Sequence, residues 1–475
     1  MDQPLEAGLT DVAFPLTSAA GPGASAISPA DQPPAAPAHR TTVLGRTAVS
    51  DSVRDPALRS LNFLNEIMAR HPEAISFAPG APHPRFYEDL DPDRHIDSFL
   101  GHLVRSRGLS PDQARLTLHQ YGPTAGLIND LVAELLRSDL DIHASPESIV
   151  ITVGCQEAMY ITLRALRTDA DDVVLVTSPG YSGVVGAALM AGIGLRTVPE
   201  GENGWDIAAL REACRQLRAR GRRPRAVHCV PDFANPSGAR LNLADRAALL
   251  RLAEEEDLLV LEDGVYAFTA PPERRLPSLK AMDRTGRVVH LGSFAKVCMP
   301  GVRVGYVVAD QLVRDERGGT EPLAAMLTAI KSMVTVNTAA LSQAVVGGLL
   351  VENGGSLHRR TAEQCAFYDA NRRRLLAALE RAFPQAEAAR HGVRWTVPEG
   401  GFFVVLTVPF EVDDALLEVS ARTHRVLWTP MRHFHRDGRE ASRRLRLSFS
   451  YLDPPRIDEG VARLAEFIRQ RSGGA

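Results

Sequence analysis

"GSFAKVCMPGVRVGY", residues 292–306, carries Lys296, one of three lysines in the chain. The others are Lys280 and Lys331, and arginine supplies the rest of the 54 basic residues. The stretch follows the apolar run "RVVHL" and leads into a second one, "RVGYVVAD", so it reads as a loop between two strands. A guanidinium stays protonated and forms no useful imine, whereas an alkylammonium can be made to give up its proton. A chain that uses arginine nearly everywhere and lysine here points to amine chemistry at Lys296. Lys280 and Lys331 have no such context and are expected on the solvated surface.

Outward from this loop, residues of about 115–330 alternate short apolar runs with helical segments. "ESIVITVG" precedes "CQEAMYITLRAL", "DDVVLVTSPGY" precedes "GAALMAG", and "RPRAVHCVPDFANPSG" precedes "LADRAALLRLAEEED". "LLVLEDGVY" then leads to the opening loop. That order predicts an α/β fold with a mostly parallel sheet covered by helices on both faces. After about residue 335 the pattern changes to a long helical segment, the strands "VRWTVPEGGFFVVLTV", "RVLWTP" and "RRLRLSFSY", and a final helix, which read as a smaller α+β domain.

Ligands of such sheets bind at the carboxyl ends of the strands. Those ends carry Gly154, Cys155 and Gln156; Gly180 and Tyr181; Asn235 with Ser237; Asp263 with Tyr266; and Ser293, Lys296 and Arg303. A helix opened by "GCQEA" offers free N–H groups to a phosphate. Arg303 and Ser293 add a charge and a hydroxyl. Asp263 suits a protonated ring nitrogen, Asn235 and Tyr266 a ring hydroxyl, and Tyr181 a ring face. With Lys296 as the imine-forming amine, the set fits pyridoxal 5′-phosphate.

Seven motifs, in order along about residues 60–470, resemble those of fold type I aminotransferases of classes I and II. They are "FAPGAPHP", "YGPTAG", "NPSG", "EDGVY", "SFAK" with "PGVRVGY", "PEGGFF" and "RLRLSFS". The resemblance implies a large cofactor-binding domain and a smaller one. It makes Lys296 the Schiff-base lysine and the proton shuttle, with Asp263 and Tyr181 beside it in catalysis. Asp263, Asn235, Tyr266, Tyr181, Ser293, Arg303, Gly154, Cys155 and Gln156 would hold the cofactor. Tyr121 would reach the phosphate from a second subunit, which implies a homodimer. Arg446 would clamp the substrate carboxylate, near Gly80 and Asn235. Strand alternation places Arg444 and Arg446 on one face and does not choose between them; the family spacing selects Arg446. Cys155 stands where serine is common, so only its backbone N–H is expected to serve the phosphate. The segment "VLWTPMRHFHRDG" departs from the family's shorter turn, and Met431, His433, Phe434 and His435 are candidates for the side-chain pocket.

The expected activity is transfer of an amino group between an amino acid and a 2-oxo acid. The chain is similar to the arylglycine transaminases of peptide-antibiotic pathways, which implies an arylglyoxylate/arylglycine pair of the 3,5-dihydroxyphenylglycine type. Aromatic or 2-aminoadipate transamination, and lyase, decarboxylase or oxidase chemistry on the same scaffold, remain open at this stage. Residues 1–50, rich in Pro and Ala, read as a disordered tail too short and too Pro/Ala-rich for a DNA-binding domain. Residues 51–90 are expected to join the small domain and the site entrance, 91–335 to form the large domain, and 336–475 the small one.

The bulk numbers exclude other classes. Net charge of −3 with interspersed signs gives no nucleic-acid or membrane-binding patch. No apolar run is long enough to span a bilayer, and the N-terminal stretch lacks the pattern of a secretory signal. Five scattered cysteines (155, 214, 229, 298 and 365) without CxxC spacing argue against zinc or a disulfide framework, and point to a cytoplasmic setting. No metal is expected.

Overall fold

The computed structural model describes residues 41–55, 58, 66–201, 204–436 and 441–472. The chain divides into two compact units, Met1–Val49 and Ser50–Ala475. In the first, residues 41–49 are exposed and carry a 3-10 turn, Arg46–Ala48. The predicted tail otherwise lies outside the described residues, as does most of the expected helix "ALRSLNFLNEIMARH".

In the second unit, β1 (Ile75–Ser76) is followed by the strands of an eight-stranded sheet. These are β2 (Ile149–Thr152), β3 (Asp172–Ser178), β4 (Gly194–Gly201), β5 (Gly204–Trp205), β6 (Arg223–Cys229), β7 (Leu259–Asp263), β8 (Val288–Ser293) and β9 (Gly305–Val308). Their order is β2-β9-β8-β7-β6-β3-β4-β5. The pairs β4–β3, β3–β6, β6–β7 and β7–β8 are parallel. Strand β9 runs against both β8 and β2, and β5 against β4. The reversal at β9 has a local cause. No crossover helix separates it from β8, so the chain turns over the sheet end through two short 3-10 turns, Phe294–Lys296 and Pro300–Val302, and comes straight back. The middle strands are buried along their length, as "VLE" and "VVHLG" predict for a sheet covered on both faces.

After the small hairpin β10 (Leu312–Arg314) and β11 (Thr320–Pro322), a second sheet forms from β12 (Arg394–Trp395), β13 (Phe403–Thr407), β15 (Thr429–Pro430) and β16 (Arg444–Ser448). Strand β14 (Val426–Leu427) instead pairs in parallel with β1. "RVLWTP" is therefore not one strand: it changes sheet at Trp428, whose fully buried indole donates to Ser420 Oγ at 3.1 Å. The helices His358–Ala382 and Pro454–Ser472 pack with this second sheet.

Two expectations fail on the lysines. Lys331 is fully buried and donates to Glu157 Oε2 at 2.8 Å. Lys280 keeps 7% of its side chain exposed and pairs with Asp310 at 2.6 Å. The sequence offers no local sign of either partner; Glu157 and Lys331 are 174 residues apart. Among the described residues, no helix is long and apolar enough to cross a membrane.

Candidate active site

The carboxyl ends of β2, β3, β6, β7 and β8 open on one cavity of about 390 Å³. Its lining includes Gly80, Cys155, Gln156, Tyr181, Asn235, Asp263, Tyr266, Ser293, Lys296, Arg303 and Arg446. Sequence positions from 80 to 446 thus converge as the strand-end reading predicts. Tyr121 does not join them within one chain: it is 85% exposed and does not line the cavity.

At one end, β2 gives way to the helix Gly154–Leu166, whose first N–H groups have no partner within the helix. Gly154 has φ +72°, and a Cβ there would sit 2.5 Å from Arg303 Nη2. Glycine therefore admits the guanidinium to the helix N-terminus. A Cβ on Gly305 would lie 2.7 Å from the Cys155 nitrogen. Ser293 Oγ caps the turn Phe294–Lys296 by accepting the Ala295 N–H at 3.1 Å. N–H donors, a guanidinium and a hydroxyl on one corner make a seat for a phosphate.

In the centre stands Lys296. Its Nζ donates to the Gly80 carbonyl at 2.6 Å. Burial pulls its pKa down to about 8, against the opposing charge of Asp263 and with help from Arg303 and Arg446. The amine is thus neutral far more often than a surface lysine. Asp263, 3% exposed, ends β7. Tyr181 lies over Gly183, where a Cβ would come within 2.2 Å of its ring, and burial pushes its phenol up to about 12. Burial raises the Tyr266 phenol further, so both phenols stay protonated donors.

At the other end, Arg446 is 4% exposed. Its Nη1 donates to Asn235 Oδ1 at 2.6 Å, and its Nη2 to the Ala78 carbonyl at 2.7 Å and Thr429 Oγ1 at 3.2 Å. The guanidinium lies 4.3 Å from the Phe403 ring centroid and 4.9 Å from that of Phe434. No carboxylate pairs with it among the described residues, its buried Nε has no partner there, and burial lowers its pKa to about 10. A desolvated arginine lacking a counter-charge is prepared for a ligand carboxylate. Arg444, two residues earlier, opens instead into a second cavity of about 780 Å³. Met431 and His435 also line that second cavity and not the first, which corrects their expected place in the side-chain pocket; His433 and Phe434 do line the first. His228, 3.4 Å from Asp263, went unread because it lies inside an apolar run and not at its end.

The sequence pattern of the aminotransferase class I and II family matches residues 107–464. The chain belongs to that family. This aminotransferase is 44% identical over 431 residues to (S)-3,5-dihydroxyphenylglycine transaminase of Amycolatopsis orientalis, covering 91% of this chain and 96% of that one. It is 32% identical to aromatic-amino-acid aminotransferase 1 of Thermococcus litoralis, over 74% of this chain and 80% of that one. Among solved structures, the α-aminoadipate aminotransferase LysN of Thermus thermophilus, complexed with N-(5′-phosphopyridoxyl)-L-leucine, superposes with a TM-score of 0.72 at 29% identity, covering 90% and 99% of the two chains. The aminotransferase has the fold type I architecture, and its cofactor is pyridoxal 5′-phosphate. The cavity fits that cofactor: the space a Cβ on Gly154 would fill lies between a helix N-terminus and Arg303, and the same cavity is lined by a neutralisable amine, Lys296, and by Asp263.

Proposed function

We propose that this aminotransferase interconverts an arylglyoxylate and an arylglycine of the 3,5-dihydroxyphenylglycine type, in secondary metabolism leading to peptide antibiotics. The observation that carries this reading is the 44% identity extending over 96% of the dihydroxyphenylglycine enzyme. The cavity supports it. Beside the groups already described, it is walled by Met68, Val230, Val265 and Phe434, with the imidazole of His433, a lining suited to a hydroxylated ring.

When bound, pyridoxal 5′-phosphate supplies an aldehyde that condenses with amines and a protonated ring that withdraws electrons. The protein does the rest. The Gly154–Gln156 N–H groups, Ser293 and Arg303 would hold the phosphate. Asp263 would accept the ring N–H, Asn235 and Tyr266 would donate to the ring hydroxyl, and Tyr181 would cover one ring face. Arg446, with Asn235 and Gly80 beside it, fixes the substrate carboxylate and so sets which bond of Cα faces Lys296. Lys296 Nζ, about half of it neutral at pH 8, would take the proton from the substrate Cα and hand it to the carbon of the cofactor's aldehyde group. The donor leaves as a 2-oxo acid before the acceptor enters, so steady-state kinetics are ping-pong.

A second copy of the chain completes the site in this reading. Tyr121 is exposed, as are Met333, Val334, Val336 and Leu341; a homodimer contact covers such apolar surface and delivers Tyr121 to the partner's phosphate seat. Residues 51–90 and 336–475 serve as the small domain and entrance, 91–335 as the cofactor domain, and the enzyme works in the cytoplasm. The test is a panel of arylglyoxylates, phenylpyruvate and 2-oxoadipate offered with several amino donors, with chiral analysis of products. Arylglycine formation at the highest kcat/KM is the expected result. Turnover of only phenylpyruvate or 2-oxoadipate would move the substrate to the aromatic or aminoadipate class, and ammonia or carbon dioxide released without an acceptor would overturn transamination.

A further inference from the structure

We propose that the Cys155 thiol and the His228 imidazole act together as positioning groups for Asp263, holding its carboxylate aimed at the ring nitrogen of the cofactor. This rests on the reading of Asp263 as the partner of that nitrogen.

A carboxylate buried to 3% exposure is costly unless its oxygens are satisfied. Among the described residues no lysine or arginine forms an ion pair with Asp263. Two weaker groups approach it, one to each oxygen. Cys155 Sγ lies 3.7 Å from Oδ1, within hydrogen-bond reach for sulfur. His228 Nε2 lies 3.4 Å from Oδ2, within ion-pair distance but not hydrogen-bonded to it. That nitrogen is buried and makes no hydrogen bond among the described residues, which leaves it available to the Asp263 carboxylate. The placement follows from the sheet. His228 on β6 stands beside Leu261 on β7, so its side chain shares the face of Leu261 and of Asp263 two residues on. Cys155 reaches Asp263 from the helix that follows β2, whose N–H groups face the phosphate seat.

The thiol is a donor and not a competing anion: burial, reinforced by the charge of Asp263, holds its pKa well above the ordinary value despite Arg303. The other groups that act electrostatically with Asp263 are Lys296 and the phenols Tyr181 and Tyr266. With the thiol donating to one oxygen and the imidazole beside the other, the Asp263 carboxylate is held in one orientation, facing the ring nitrogen. Without them it is free to turn away, its pairing with the ring N–H weakens, and a ring that loses that proton withdraws electrons less well. Cys155 thereby has two separable duties: its backbone N–H serves the phosphate and its side chain serves Asp263.

The experiment uses holoenzyme loaded with ring-15N-labelled pyridoxal 5′-phosphate, whose 15N chemical shift reports ring protonation from about pH 6.5 to 9. Wild type is expected to keep the protonated shift throughout. His228→Phe is expected to move it towards the neutral value and to lower kcat by roughly tenfold, the scale of one hydrogen bond to a charged group, with KM little changed. His228→Gln, which retains an N–H donor, should recover most of both. Cys155→Ala tests the same claim with β6 intact and is expected to give a smaller shift in the same direction; Cys155→Ser, which retains a donor, should restore the 15N shift towards the protonated value. A wild-type 15N shift and kcat in both His228→Phe and Cys155→Ala would overturn the proposal. Asp263→Asn separates the two levels: if it is fully active, the reading of Asp263 is itself wrong, whereas a crippled Asp263→Asn beside unaffected His228 and Cys155 variants removes this inference alone.

Discussion

Arg246 and Arg446 are both buried arginines, and they are treated in opposite ways. Arg246 is fully buried and every nitrogen has a partner. Nε donates to the Leu241 carbonyl at 3.1 Å, Nη1 to Pro277 at 2.8 Å, and Nη2 to Asp232 at 2.7 Å and Pro231 at 3.3 Å. Arg446 has neutral acceptors only and an unpartnered Nε. The lysines repeat the contrast. Lys331 is matched to Glu157 and to Thr335 Oγ1, at 2.8 and 2.9 Å, while Lys296 has a single hydrogen-bond acceptor among the described residues, the Gly80 carbonyl. A structural charge is neutralised inside the chain. A charge meant for a ligand is buried, held in place, and left without its counter-charge, so the missing stabilisation comes from the substrate or cofactor.

That comparison breaks most visibly at Lys296. Lys296→Ala is expected to lower the single-turnover rate by about 10⁴-fold or more, with loss of the lysine-linked absorbance band. Residual turnover near wild type would place the base elsewhere. Next comes the arginine pair. Arg446→Met should cut kcat/KM for carboxylate substrates by about 10²- to 10³-fold with little change in the unfolding midpoint, since it removes a buried charge that has no counter-charge among the described residues. Arg246→Met should do the reverse. It strips the Leu241, Pro277 and Pro231 carbonyls of their donor and leaves Asp232 to Arg240 alone, costs about 3 kcal/mol of stability by denaturant titration, and spares kcat in the protein that folds. Lys331→Met is expected to cost a similar or slightly smaller amount, about 2–3 kcal/mol, and adding Glu157→Gln should recover much of it because the stranded carboxylate is then gone. A double variant no better than the single one would deny that charge pairing is what Lys331 provides.

The smallest effect sharpens the comparison by pH. Lys296 in the apoprotein has a pKa lowered to about 8, and only its neutral amine captures an aldehyde. Lowering a lysine pKa means the reactive form grows as pH rises through 8, so the rate of cofactor capture should increase roughly tenfold from pH 7 to 9 and level off above. Stopped-flow absorbance measures it. A rate flat across that range would mean the amine is already neutral at pH 7.

What the sequence showed of all this depended on distance along the chain. Ser293, Lys296 and Arg303 lie on one short excursion, and Asp263 and Tyr266 on one strand end, so their chemistry is legible as motifs. The mostly parallel sheet was legible because apolar runs and helical segments alternate; the order of its strands was not. The pairing of Lys331 with Glu157 was not, since nothing near either residue announces the other. Nor was the division of "RVLWTP" between two sheets, which depends on where β1 and β16 lie. Arg446 was distinguished from Arg444 by family spacing alone, and the structure gives the reason: one meets Asn235 and Ala78, the other opens into a different cavity. His228 was not legible because it lies within β6, in the middle of an apolar run, and meets Asp263 across the sheet face and not at its own strand end.

Strand β2 joins the large sheet only through β9, by the register Ile149↔Val308 to Thr152↔Gly305. The helix start that faces the phosphate is therefore delivered by one of the most distant pairings in the sheet, which carries a large loop-closure cost and belongs with the slow steps of assembly. During synthesis the two ends of the cofactor seat cannot meet until residue 308 has emerged and the sheet has closed. Pyridoxal 5′-phosphate then acts on the finished fold as a thermodynamic lock: at about a hundredfold over its dissociation constant it adds about 2.7 kcal/mol to the native state alone.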